Sequence, residues 1–118
     1  MNLAEGSHIE RNNWQKGRQV VQRRSVKRER ELRELGANVR RWRKLNGLST
    51  VALSERAAVT RETLKHLEEG TGAVRIDSLF AVLGALGIAD TVARATSPHN
   101  SSSARARMDD IIGSGGQL

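Results

Sequence analysis

Residues 50–70, TVALSERAAVTRETLKHLEEG, decide how this 118-residue chain folds. The stretch predicts two short helices joined by a tight turn. Val51, Leu53, Ala57, Val59, Leu64 and Leu67 supply apolar positions that can point inward, whereas Thr60, Arg61, Glu62, Lys65 and His66 fall on the opposite side. Ser49 suits the N-cap of a helix from Thr50 to about Ala57. Ala58-Val59 makes the turn, and Thr60 caps a further helix that runs to Glu69 and stops at Gly70. A polar helix face presented by a chain of net charge +7 points to the major groove of DNA.

Working outward, Leu35, Val39 and Trp42 fall at i, i+4 and i+7, the apolar face of a preceding helix that ends near Asn46-Gly47. The same spacing assigns Trp42 to the core. After Gly-Thr-Gly, the stretch IDSLFAVLGALGI predicts an apolar helix through Ile76, Leu79, Phe80, Leu83 and Leu86, ended at Gly87. A short helix around Asp90–Ala95 is the last element that this pattern supports. Ser97-Pro98-His99-Asn100 with Ser101–Ser103 reads as a linker, ARARMDDII as a brief helix or strand, and GSGGQL as loose chain. Residues 14–34 are rich in helix formers but lack an apolar stripe. They predict a helix that is marginal alone and firmer when bound or when continuous with the next segment. Little order is expected for residues 1–13, and neither an internal repeat nor a sheet signal is present.

Composition sets the outer bounds. The length holds one small domain with tails. The chain has no cysteine, which removes disulfides and thiolate metal sites and suits a reducing cytoplasm. No run of about 18 apolar residues suggests a membrane span, and MNLAEGSHIE lacks the charged start and apolar stretch of a signal peptide. The basic excess is uneven. Residues 1–34 carry nine Lys/Arg against five Asp/Glu, residues 35–90 eight against six, and the remainder three against two. Within the first of these, Lys16, Arg18, Arg23, Arg24, Lys27, Arg28, Arg30 and Arg33 stand against Glu29 and Glu31. Such an arm tracks a phosphate backbone or enters a minor groove, or else serves as a solvated tail.

LGANVRRWRKLNGLSTVALSERAAVTRETLKHLEEG resembles the phage-repressor/Cro-like helix-turn-helix domain, the XRE family. The following AVRIDSLFAVLGALGI resembles that family's fourth helix, so the likeness covers roughly residues 33–92. It implies an all-α fold, a compact four- to five-helix bundle at 33–95; outside the likeness, composition predicts a basic N-terminal arm at 1–32, partly helical or disordered, and a flexible C-terminal tail at 96–118. The resemblance also implies binding of double-stranded operator DNA as a homodimer. Residue by residue, it places Thr60 as the cap of the recognition helix, touching phosphate. Arg61, Glu62 and His66 then face base edges, with Lys65 near the rim. Thr50 stands where Gln usually meets a phosphate. Arg43 and Glu68 match an ion pair that ties the first helix to the third. Three departures stand out: Ala58 sits where a left-handed backbone favours Gly, Ser54 where Ala is usual at a close helix crossing, and Val74 where Pro is frequent. The family commonly pairs beyond the third helix, which makes Phe80, Leu83, Ile88 and Val92 the expected dimer interface.

The chemistry of these residues stands beside the resemblance. A cation in a first helical turn opposes the helix dipole by about 0.3–1 kcal/mol, so the helix itself does not ask for Arg61. Its guanidinium can bridge O6 and N7 of guanine instead. Glu62 can accept from cytosine N4 or simply favour the helix start. Arg40, Arg41 and Lys44, with Lys65, are candidate phosphate contacts or ordinary charged exterior. Trp14 has no core spacing and is free to anchor the arm to the domain or to a partner. Glu68 and Glu69 are neighbours on a helix and point about 100° apart, so they cannot act together on one substrate. No nucleophile–base arrangement, phosphate-cradling loop or metal spacing around His66 is evident. No catalytic residue, cofactor or metal is therefore expected.

Three functions compete on this reading. The first is a cytoplasmic transcriptional regulator, a repressor of a palindromic operator, of bacterial or phage type and nucleoid-associated when bound. The second is an antitoxin that neutralises a cognate toxin through ARARMDDII and represses its own operon. The third is a bridging protein that binds other proteins with its core and DNA nonspecifically with its arm.

Overall fold

Four hydroxyl side chains start the helices. Ser25, Ser49, Thr60 and Ser101 each sit in extended backbone and accept the amide three residues on, at 3.0–3.2 Å. Each satisfies one of the amides that a helix start leaves without an intrahelical partner. The computed structural model describes residues 25–118 and is all-helical within them. The helices are α1 Val26–Leu45, α2 Thr50–Ala57, α3 Arg61–Glu69, α4 Ile76–Ala85, α5 Ala89–Thr96 and α6 Ser102–Gly113, with a 3-10 turn at Pro98–Asn100 before α6. Among the described residues, no single helix is long and apolar enough to cross a membrane.

The first four helices end alike. Gly47, Ala58, Gly70 and Gly87 each take a left-handed backbone. Their amides return to the carbonyl three residues back, and the next amide returns five residues back. This double closure satisfies the carbonyls a helix end would otherwise orphan. At Ala58, φ is 55° and ψ 42°, so a side chain occupies the conformation that glycine adopts at the other three ends.

Packing then gathers one core. Val39 of α1, Leu53 and Ala57 of α2, Leu64 and Leu67 of α3, and Val82, Leu83 and Leu86 around the end of α4 are buried together. Gly36 lets α1 lie against α3. A Cβ there would stand 2.3 Å from the Leu67 carbonyl oxygen and 2.5 Å from that of Glu68. Ser54 is buried at its helix crossing, and its hydroxyl donates to the Val51 carbonyl at 2.9 Å. Among the described residues, no buried side-chain polar atom lacks a partner.

Several expectations are corrected here. Trp42 is 41% exposed and lies outside the core. The inward place one turn beyond Val39 belongs to Arg43, about 100° round the helix from Trp42. Val51 is also exposed, because α2 turns Leu53, Ser54 and Ala57 inward instead. On α4, Ile76 and Phe80 face outward while Val82 and Leu83 fill the core. Leu83, expected at a pairing surface, is only 3% exposed and has little area to offer a partner.

At both ends of the described chain, helices expected as marginal or brief are formed. α1 begins at Val26, so basic residues assigned to the arm continue directly into the bundle's first helix. The rest of the arm, Lys16 to Arg24 and Trp14 included, lies outside the described residues. The stretch expected as tail carries α6, capped by Ser101 and packed chiefly on the 3-10 turn, with no residue buried.

Candidate nucleic-acid interface

The exposed face of α3 is built from its cap downward. Thr60 accepts the Thr63 amide at 3.0 Å and donates its hydroxyl proton to Thr63 Oγ1 at 2.9 Å. That fixes the first turn and points Arg61 and Glu62 outward, while Leu64 and Leu67 anchor the other side in the core. Thr50, the first residue of α2, and Arg40 of α1 come to the same side. Together Arg40, Thr50, Arg61, Glu62, Lys65 and His66 border an open depression of about 620 Å³. Six of the nine expected DNA contacts, counting Thr60 apart, are thus brought to one surface. Arg41 and Lys44 do not border it; Arg41 instead donates to Asn38 Oδ1 at 2.8 Å.

The floor of this face is an ion pair. Arg43 Nε donates to Glu68 Oε2 at 2.7 Å, Nη2 to Oε1 at 3.0 Å, and Nη1 to the Leu48 carbonyl at 3.0 Å. One guanidinium therefore joins α1, α3 and the loop before α2. The hydrogen bonds that Arg43 donates to Glu68 hold its guanidinium above the usual arginine range, against a smaller opposing effect of burial. The pair that the resemblance implied is present, and its charge is neutralised inside the protein rather than offered to DNA.

Arg61, Lys65 and Arg40 make no ion pair or hydrogen bond with any described side chain, which leaves their charges available to an outside polyanion. His66 is more constrained. Its Nε2 lies 3.6 Å from Glu62 Oε1 and its Nδ1 lies 3.4 Å from Thr71 Oγ1. Sequence reasoning missed Glu69, which borders the same depression. Its position four residues after Lys65 on a helix is the signal that finds it. A carboxylate there disfavours a close phosphate and restricts which part of the face can approach the backbone of DNA. Among the described residues, no group of three or more His, Asp or Glu side chains is arranged to hold a metal ion.

Residues 39–91 match the family profile described as Helix-turn-helix. The capped α2–turn–α3 unit on a four-helix core is the architecture that this match describes. Residues 39–91 thus form a Cro/repressor-like helix-turn-helix domain of the XRE type. The protein is a DNA-binding transcriptional regulator, and this domain class is not an enzyme family. No curated protein matches the chain.

Proposed function

We propose that the protein represses transcription from a palindromic operator, which it binds as a homodimer with α3 in the major groove. The observation that carries this reading is the convergence of Arg40, Thr50, Arg61, Glu62, Lys65 and His66 on one face beside the capped start of α3. Arg61, Glu62 and His66 are the proposed base readers. Thr60, Thr50, Lys65 and Arg40 position the backbone of DNA, and Arg41 and Lys44 add flanking phosphate contacts. Two such faces one helical turn apart, about 34 Å, require a dimer. Phe80 with Ile88 and Val92 is the proposed pairing surface; Phe80 remains 37% exposed, and the other two are half-buried.

Mobility shifts on DNA upstream of the protein's own gene test the proposal. Arg61→Ala is expected to weaken specific binding by about 1–3 kcal/mol and to relax preference at one base pair. Unchanged affinity and unchanged preference in that variant would exclude base reading by Arg61.

A second reading, an antitoxin that also represses its operon, is favoured by α6. That helix stands on the 3-10 turn with Ile111 40% and Ile112 60% exposed, surface that a toxin could cover. Truncation after Pro98 should then release a co-purifying partner while DNA binding persists. If no protein co-purifies with the full chain expressed beside its neighbouring gene, the antitoxin reading fails.

A further inference from the structure

Beside the proposed DNA-facing side of His66 lies a second, partly open hollow of about 290 Å³, bordered by α1, the end of α3, the loop after it and α4. Leu32, Leu35, Leu67, Val74 and Leu79 are its apolar lining. No Asp, Glu, Lys or Arg side chain lines it. Its polar groups are the His66 ring and the Thr71 hydroxyl, with loop backbone alongside. We propose that this hollow binds a small neutral aromatic molecule of one or two rings, and that its occupancy reaches the DNA-reading face through His66.

Size and chemistry select the ligand class. An apolar cavity of about 150 Å³ holds benzene, so roughly twice that volume holds two fused rings. A site of this kind orients its ligand through a few polar groups set in an apolar wall. Here Thr71 Oγ1 and His66 Nδ1, 3.4 Å apart, offer one donor–acceptor pair to a single polar atom. A charged ligand would lose hydration with no counter-ion in the wall. The walls are set in place: α1 and α3 meet backbone to backbone at Gly36, and a Cβ on Gly70 would stand 2.7 Å from Arg33 Cα. The loop passes close to the imidazole, since a Cβ on Gly72 would approach Nδ1 to 3.2 Å.

His66 is the shared wall. Its ring borders both the hollow and the open depression, with Nδ1 toward Thr71 and Nε2 toward Glu62. A ligand that takes the Thr71 hydroxyl frees the ring from that contact and alters how it meets Glu62. Any effector that distinguishes two arrangements of the ring shifts DNA affinity by the same factor that DNA shifts its own. This coupling rests on the proposed reading face, whereas binding in the hollow does not.

Indole is the probe, titrated into the full chain by two-dimensional NMR. Saturable shifts of the Thr71, Gly72 and Ala73 amides are expected. Ala73→Phe and Leu79→Phe, which fill the hollow from its loop and from α4, should each weaken binding at least about tenfold while retaining the native spectrum elsewhere. Saturating indole should change affinity for DNA at least about fivefold in the natural chain and not in Ala73→Phe. Linear, dispersed shifts, or equal binding by both filled variants, would overturn the site. Indole binding that appears only after Trp14→Ala would also overturn it, by identifying the chain's own indole ring as the occupant. Saturable binding with unchanged DNA affinity would overturn the coupling to His66. A protein that binds indole in the hollow but no DNA would instead count against the proposed operator reading.

Discussion

Arg43 is a cation that the fold uses internally. It fills the inward position expected of an apolar residue on α1, and its guanidinium is saturated by Glu68 and the Leu48 carbonyl. Removing one partner of such a pair leaves the other charge buried, at a cost of about 3–5 kcal/mol. Arg43→Ala should therefore lower the thermal midpoint sharply, whereas Arg40→Ala, on the open face, should leave it nearly unchanged; calorimetry distinguishes them. The pH dependence has a definite sign. Because the folded state raises the Arg43 pKa, its stabilising contribution is complete at all pH values below the ordinary arginine range. It is lost only as pH climbs through the folded-state value in strong alkali. Titration of Arg43 thus contributes nothing to any change in stability between neutral and mildly acid pH. Both partners were legible from the family resemblance. Trp42 was misassigned because a spacing of i, i+4, i+7 treats every apolar side chain as core, while the adjacent Arg43 had stronger bonds to make inside.

At the scale of elements, starts and stops were the most legible features. Ser49 and Thr60 cap α2 and α3, and Gly47, Gly70 and Gly87 end their helices, as local hydrogen-bond chemistry requires. The turn between α2 and α3 departs from this economy. Ala58 holds a left-handed conformation that costs an L-residue about 1–2 kcal/mol. Ala58→Gly removes that cost but gives the unfolded chain more freedom, worth about 0.4–1 kcal/mol. The net expectation is stabilisation of between about 0 and 1.6 kcal/mol, a rise of up to several degrees in thermal midpoint, with no loss of DNA affinity. A lower midpoint would mean that the Ala58 methyl makes contacts beyond the turn. Less legible was α6, because Ala, Arg and Met in a short polar stretch carry no decisive period. Its formation depends on the Ser101 cap and on packing against the 3-10 turn.

At the scale of the whole molecule, pairing decides whether one reading face becomes an operator-sized surface. Of the four residues expected to pair, Leu83 is committed to the monomer's own core, leaving Phe80, Ile88 and Val92, with Ile76 72% exposed one turn before Phe80 on α4. Phe80→Glu places a charge on that surface. It should convert a dimer to monomer in sedimentation and weaken operator binding, while the helical spectrum of the monomer persists. An unchanged sedimentation coefficient would move the interface elsewhere, with exposed Ile111 and Ile112 on α6 the next candidates.

Local chemistry was sufficient to place the boundaries of α2 and α3, the turn at Ala58 and the polar side of α3, since caps, left-handed ends and apolar spacing act within a few residues. The bundle itself followed from a resemblance spread over about sixty positions. Only the tertiary structure decided which apolar residues are core, that Arg43 replaces one of them, and that Arg40, Thr50 and α3 share a face. It alone placed His66 between that face and an apolar hollow. Those outcomes depend on how helices far apart in sequence press together, and close packing admits one arrangement where periodicity allows several.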